Sequence, residues 1–455
     1  MAISRARICG VDGLVDISVS AAGIITAIEP SSVLRRRSAL VDANGALLIP
    51  GLVDAHVHLD KALLNSRCCA STGCFTEALT KTLKARREFT VEDVRSRAKT
   101  VIESAIAFGT TLMRTHCDIG DGTGATLGIS SLEVLLSLRS EYSWAIDLQV
   151  CAFAQEGISH SEAAIALLRR AVAMGCDVVG SAPYTDRDPD KNIEIIFSLA
   201  KEFDVAVDFH LDYHLGDEKP SYMPTVIEKT KEHKFQRRVC LGHCTALSSL
   251  APPQLAQRAE ELRSAGIAVL ALPASDVYMQ ARADVCDKRR GVAPVDKLRS
   301  MGVTAAFATN NVQNLFTFTG DGDVLKVGTL TAQMLHLGAQ AQHADLLHMA
   351  TSTAAEAIGC RDHALVVGSR GDLVVLHGCT SPTDVLAAPP VARTVLKRGR
   401  VVAQTTKTVK LFPPSSPSSS VSSFVRERPW PLPVVAAAAL WLSVMAWFRL
   451  QRQRR

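Results

Sequence analysis

The sequence predicts an α/β chain: a (β/α)8 barrel with a small β-sandwich formed from both chain ends. Three observations carry this. Eight apolar runs, each closed by polar residues, follow one another through the centre of the chain. Stretches with 3.6-residue periodicity separate most of them. Short glycine-punctuated β-type runs occur both before and after this series. Serial strand–helix units argue for a parallel barrel. A doubly wound open sheet would carry a phosphate-binding glycine loop after its first strand, and none is present.

Residues 1–48 hold short β-type runs such as Val15–Val19 and Gly23–Ile28, and similar runs return at Asp372–His377, Val391–Leu396 and Arg400–Ala403. Together, 1–48 and 365–405 predict the composite sandwich, leaving 49–364 for the barrel. The barrel runs are Leu47–Asp60, Thr110–Asp118, Trp144–Gln155, Cys176–Ser181, Val205–Asp212, Arg238–Thr245, Ala268–Asp276 and Thr304–Asn311. Helical patterns lie between them, for example at Ser161–Met174, Asn192–Glu202 and Gln254–Ala265. The Gly120-Asp-Gly-Thr-Gly run follows the second strand, lacks phosphate-loop spacing, and reads as a flexible loop.

In such a barrel the C-terminal strand ends form one functional mouth. Here those ends carry His56 and His58, His116 and Asp118, Gln155, Ser181, His210 and Asp212, His243, Ser275 and Asp276, and Asn310 and Asn311. Alternation along the first strand sends His56 and His58 to the same side. Two imidazoles there can bind one metal ion, since neutral imidazole is a common ligand for zinc and iron. An isolated pair is as readily a hydrogen-bonded core pair. The gathering of further ligand-type groups at the same end favours the metal.

With 455 residues, 47% of them hydrophobic, the chain can build a large core. Its 5% aromatic content gives no sign of a base-stacking surface, so no nucleic-acid partner is expected. The net charge of +5 is unevenly placed: from Arg393 onward twelve Lys and Arg face the single acid Glu427, leaving a slightly acidic body. Twelve scattered cysteines form no Cys-x-x-Cys pair and predict reduced thiols in a cytosolic body. A Pro/Ser-rich linker is expected at 406–430. The uncharged run 431–448, with Trp430 and Trp447 near its ends, predicts a transmembrane helix anchoring the barrel to an intracellular membrane by its tail, with 449–455 a basic tail. A homo-oligomer is left open.

Several segments together carry a family resemblance: Pro50-Gly-Leu-Val-Asp-Ala-His-Val-His-Leu-Asp, Arg114-Thr-His-Cys-Asp, Ala152-Phe-Ala-Gln-Glu-Gly, Asp177-Val-Val-Gly, Asp208-Phe-His-Leu-Asp, Gly242-His-Cys-Thr and Arg289-Arg-Gly. In order and spacing the chain resembles the amidohydrolase superfamily, in its cytosine deaminase branch, over roughly residues 8 to 405. The resemblance implies one divalent metal ion, zinc or iron, held by His56, His58 and His210. It implies that His243 stands beside the activated water and the reacting carbon, and that Gln155 hydrogen-bonds a ring substrate. The family's reaction is hydrolytic attack on an amidine-type carbon with release of ammonia.

Two departures qualify this. Where the deaminases carry a ring-protonating glutamate after the fifth strand, the chain has Tyr213. Where they carry a metal-ligating aspartate after the eighth, it has Asn310, whose amide can coordinate but cannot act as a base. Losing such acid–base groups costs on the order of 10²–10⁴ each in rate. This argues against ordinary cytosine deamination. The expectation is a hydrolase of non-peptide C–N bonds in a small cyclic amidine or amide, with proton transfer rewired through His243, Asp212, Asp276 or Lys61. Lys61 reads either as a contact for an acidic substrate group or as a solvated loop lysine. Tyr213 reads as a substrate contact or as packing, and Asp276 as a substrate contact or as a helix-capping acid. The alternative function is a catalytically impaired barrel acting as a ligand-binding or interaction scaffold.

Overall fold

A computed structural model describes residues 2–32, 39–120, 127–215 and 219–412. Five short strands open the chain: β1 (Ala2–Ala6), β2 (Val15–Val19), β3 (Ile25–Pro30), β4 (Val41–Asp42) and β5 (Leu47–Pro50). Eight follow: β6 (Leu52–Val57), β7 (Thr110–Asp118), β8 (Asp147–Ala154), β9 (Val178–Ser181), β10 (Ala206–Leu211), β11 (Val239–His243), β12 (Ala268–Ala271) and β13 (Ala305–Phe307). Three close the series: β14 (Leu373–Leu376), β15 (Arg393–Lys397) and β16 (Arg400–Thr405).

Strands β6 to β13 lie side by side in chain order as one parallel sheet with helices between them. The sheet closes on itself where Val57 bridges Asn310. His58 N donates to Asn310 O, and Asn310 N donates to His56 O, each at 2.8 Å. The barrel is thus sealed at the histidines themselves. The sealing is reinforced one turn lower, where the buried Asp54 carboxylate accepts from the backbone N–H and hydroxyl of Thr309.

The terminal strands form two four-stranded sheets, β3-β2-β1-β4 and β16-β15-β14-β5. Their facing apolar side chains, among them Ile3, Ile17, Ile25, Leu48, Leu373 and Leu396, make one shared core. The run Leu47–Asp60 therefore divides. Its first half pairs with β14 in the small sheet, and its second half enters the barrel. Gly51 marks the division, since a Cβ there would lie 2.0 Å from the Thr111 hydroxyl. The run Ala268–Asp276 divides too. Pro273 begins a short helix, Pro273–Met279, so Asp276 is helical.

Met1–Lys407 form one unit, and 408–412, which begin a second, carry neither helix nor strand. Part of the Gly120–Gly124 loop, most of the linker, the 431–448 run and the basic tail lie outside the described residues. The expectation of a transmembrane tail anchor, and with it of a membrane partner and an intracellular-membrane location, is corrected. No helix among the described residues is long and apolar enough to cross a membrane. The longest, Val91–Ala107, has 17 residues and carries six charges, Glu92, Asp93, Arg95, Arg97, Lys99 and Glu103, whereas a span needs about 20 apolar residues.

Candidate metal centre and active site

The strand ends bring the imidazoles of His56, His58, His116 and His210 together in the closed barrel, all with 3% exposure or less. Ligand atoms of His56, His116 and His210 all lie within 4.8 Å of one another. Nε2 of His56 and Nε2 of His210 are 2.8 Å apart. The His58 ring centre lies 5.5 Å from that of His56 and 5.3 Å from those of His116 and His210. Gly242 makes room for this: a Cβ there would sit 3.1 Å from His56 Cε1.

Burial, followed by the neighbouring imidazoles or Lys61, holds His56, His58 and His210 well below the usual histidine pKa. They are neutral, with lone pairs available. Nδ1 of His58 and Oδ1 of Asn310 are buried without hydrogen-bond partners among the described residues. Buried polar atoms are ordinarily satisfied. Unmatched lone pairs beside the clustered ligand atoms of His56, His116 and His210 are what a cation would satisfy, so this donor set fits one divalent metal ion.

Asp208, fully buried on β10, braces the cluster from below. It takes Arg114 Nη1 at 2.9 Å and lies 3.2 Å from His116 Nε2. His116 stacks on His56 with ring centres 3.7 Å apart. The sequence placed His116 at a strand end without assigning it a role. Its distinguishing signal was the Arg114-Thr-His116 alternation, which sends Arg114 and His116 to the same side as the fifth-strand acid.

A small cavity opens against the histidines, lined in part by His58, Lys61, Gln155, His210, Tyr213, His243, Asn310 and Asn311. Phe75, Tyr184 and Phe316 add aromatic walls that the sequence did not single out, because they come from loops and a helix start rather than strand ends. A wider outer chamber shares Phe75, Tyr184, Tyr213 and Met279 with it.

Lys61 is 2% exposed, which excludes the solvated-loop reading. Its ammonium stands 5.1 Å over the Phe316 ring. Tyr213 packs 5.0 Å from the His243 ring, and its buried hydroxyl has no partner among the described residues. Burial pushes that hydroxyl's pKa upward. His243 Nδ1 lies 2.6 Å from Asp276 Oδ1. Asp276 is fully buried and absent from the cavity wall, so it holds His243 rather than touching a ligand. Asp212 is also turned away. Its carboxylate accepts from the Ser221 hydroxyl and the Tyr222 N–H, which corrects its expected catalytic place. Asp212, His243 and Asn310 all have positive φ, of 47°, 71° and 61°. Left-handed non-glycine residues of this kind concentrate at functional sites.

A parallel barrel with a neutral histidine cluster, a His243–Asp276 dyad and a cavity at the strands' C-terminal ends fits a metal-centred hydrolase class. The chain belongs to the amidohydrolase family, whose model matches residues 131–403. It is 28% identical over 388 residues to a pterin deaminase of Rhizobium rhizogenes, covering 84% of this chain and 87% of that protein. It is 26% identical over 370 residues to the N-isopropylammelide isopropyl amidohydrolase of Pseudomonas sp., covering 80% and 87%. Among solved structures, the 5-methylcytosine deaminase of Klebsiella pneumoniae liganded with 5-fluorocytosine superposes with a TM-score of 0.82. That match has 27% identity over 91% of this chain and all of that one.

Proposed function

We propose that the chain is a metal-dependent hydrolase that cleaves a non-peptide C–N bond in a small cyclic amidine or amide. The observation that carries this reading is the gathering of His56, His58, His116 and His210 into one buried cluster, with His58 and His210 lining the same cavity as the Asp276-held His243. Those three histidines would hold the ion, with Asn310 Oδ1 a neutral oxygen within the same wall and His116 stacked behind His56. A divalent ion bound there supplies an acidified water and polarises the reacting centre.

The chain's own residues supply the rest. Asp276 fixes His243 through Nδ1, leaving Nε2 as the nitrogen that takes a proton from water and returns it to the leaving amine. This relay does not need the carboxylates replaced by Tyr213 and Asn310. Gln155 and the Tyr213 hydroxyl hydrogen-bond the ring, and Phe75, Tyr184 and Phe316 exclude water around it. The relatives' named substrates, a pterin, an isopropylammelide and a methylcytosine, are all nitrogen heterocycles, which supports a ring substrate here.

The test is ammonia or amine release from a panel of pyrimidines, triazines, pterins and cyclic amides, measured with the full-length protein alongside its metal content. Turnover by protein holding about one ion per chain is expected. Metal-free protein inert on the whole panel would instead favour the ligand-binding scaffold.

A further inference from the structure

We infer that the ring this cavity takes is an acidic oxo-heterocycle, such as a cyclic imide, bound as its anion against Lys61. The inference rests on the hydrolase reading for the site's location, but its evidence is separate. Lys61 is an ammonium with 2% exposure that lines the cavity. No hydrogen bond joins its Nζ to any described residue, and it stands 5.1 Å over the Phe316 ring face. Asp60 and Glu156 act on it electrostatically. Neither carboxylate hydrogen-bonds it: Asp60 Oδ2 accepts from Asp118 N and Glu156 Oε1 lies 3.2 Å from Arg86 Nη1, while Asp60 Oδ1 and Glu156 Oε2 are buried without hydrogen-bond partners among the described residues.

No described carboxylate lines the inner cavity. Besides Lys61, the wall offers the Tyr213 hydroxyl, with no partner among the described residues, and the Gln155 amide. A buried cation with no hydrogen-bonded carboxylate, beside further donors, complements an electron-rich, negatively charged ring. A neutral aminopyrimidine would offer the ammonium an acceptor but no compensating charge. The outer chamber has the same bias, with Lys219, Arg282 and Arg289 among its described lining residues against Asp284 alone.

The experiment compares calorimetric binding of barbiturate, an anion at neutral pH, with uracil, a neutral ring of the same size, to the full-length metal-loaded protein. Barbiturate is expected to bind at least about tenfold tighter. Lys61→Met should abolish that preference by weakening barbiturate roughly tenfold or more while changing uracil less than about threefold. Metal content and melting temperature should stay unchanged, and Lys61→Arg should keep part of the preference. Absence of barbiturate binding, equal binding of the two rings, or an equal loss for both in Lys61→Met would overturn the inference. Turnover of neutral rings without this preference would overturn it while leaving the hydrolase reading standing.

Discussion

At the scale of single residues, the chemistry turns on which side chains keep a lone pair or a charge available. Burial lowers the pKa of His56, His58 and His210 and so favours their neutral form, each with one free ring lone pair. A 2.6 Å contact ties His243 to Asp276, and that contact makes a sharp prediction. Asp276→Asn preserves the size of the side chain but not the charge that orients the imidazole and stabilises its protonated form. It should lower kcat by on the order of 10²–10⁴ with little change in KM. Steady-state kinetics on whichever ring is turned over checks this. A change confined to KM would mean that Asp276 shapes binding rather than proton transfer. Asp276 was visible in the sequence as an acid near a strand end. Its partner was not, because the acid sits in a short helix whose start depends on Pro273, and only the folded helix turns it behind His243.

At the scale of elements, the barrel's closing seam is its most sensitive part. Strand β13 has three residues, and the seam is completed by backbone bonds between His56, His58 and Asn310 and by the Asp54–Thr309 contact. Burial raises the Asp54 carboxyl to about 6, against hydrogen bonds from Thr309 that favour the ionised form. A carboxyl whose folded pKa lies above its unfolded value binds more protons in the folded state between the two. Its contribution to stability is therefore full below about 4 and is lost as pH rises through about 6, an effect on the order of 3 kcal/mol. Wild type should thus lose stability relative to the non-titrating Asp54→Asn between pH 4.5 and 7.5 in denaturant melts. A gap that widens in favour of wild type over that range would contradict this.

The order and type of the elements were legible in the sequence, because alternating strand and helix patterns survive in a barrel buried on both faces. The seam was not. Leu47–Val53 is broken only by Pro50 and Gly51, so the division into a sandwich strand and a barrel strand is marked by that Pro-Gly pair alone. The bonding of Thr309 to Asp54 joins residues 255 positions apart. The orientation of Asp212 was likewise hidden, since its positive φ rotates it off the strand's alternation.

At the scale of the whole molecule, the sandwich is bound to the barrel by buried ion pairs as well as by apolar packing. Arg393 on β15 holds Asp323 through both guanidinium nitrogens, at 3.0 and 2.6 Å, with both residues 1–2% exposed. Lys397 reaches Asp147 and Asp372, each at 2.7 Å. Arg393→Met would leave the Asp323 carboxylate buried without its counter-ion, at a cost of about 3–5 kcal/mol. Denaturant unfolding should register that loss, and a variant as stable as wild type would show that the pair contributes little. The resemblance carried in the strand-end motifs reached the family correctly, since those motifs are the mouth of the barrel. The tail reading is not supported: no helix among the described residues is long and apolar enough to cross a membrane, and the 431–448 run lies outside them.

The central claim is that distant imidazoles converge to hold one ion, and metal analysis of the purified full-length chain beside its His210→Ala variant tests it most directly. The account predicts about one zinc or iron per wild-type chain and a loss of most of it in a variant that remains folded by circular dichroism. A wild-type chain without stoichiometric metal after growth and reconstitution with either ion, or a folded His210→Ala chain that keeps its full complement, would contradict it.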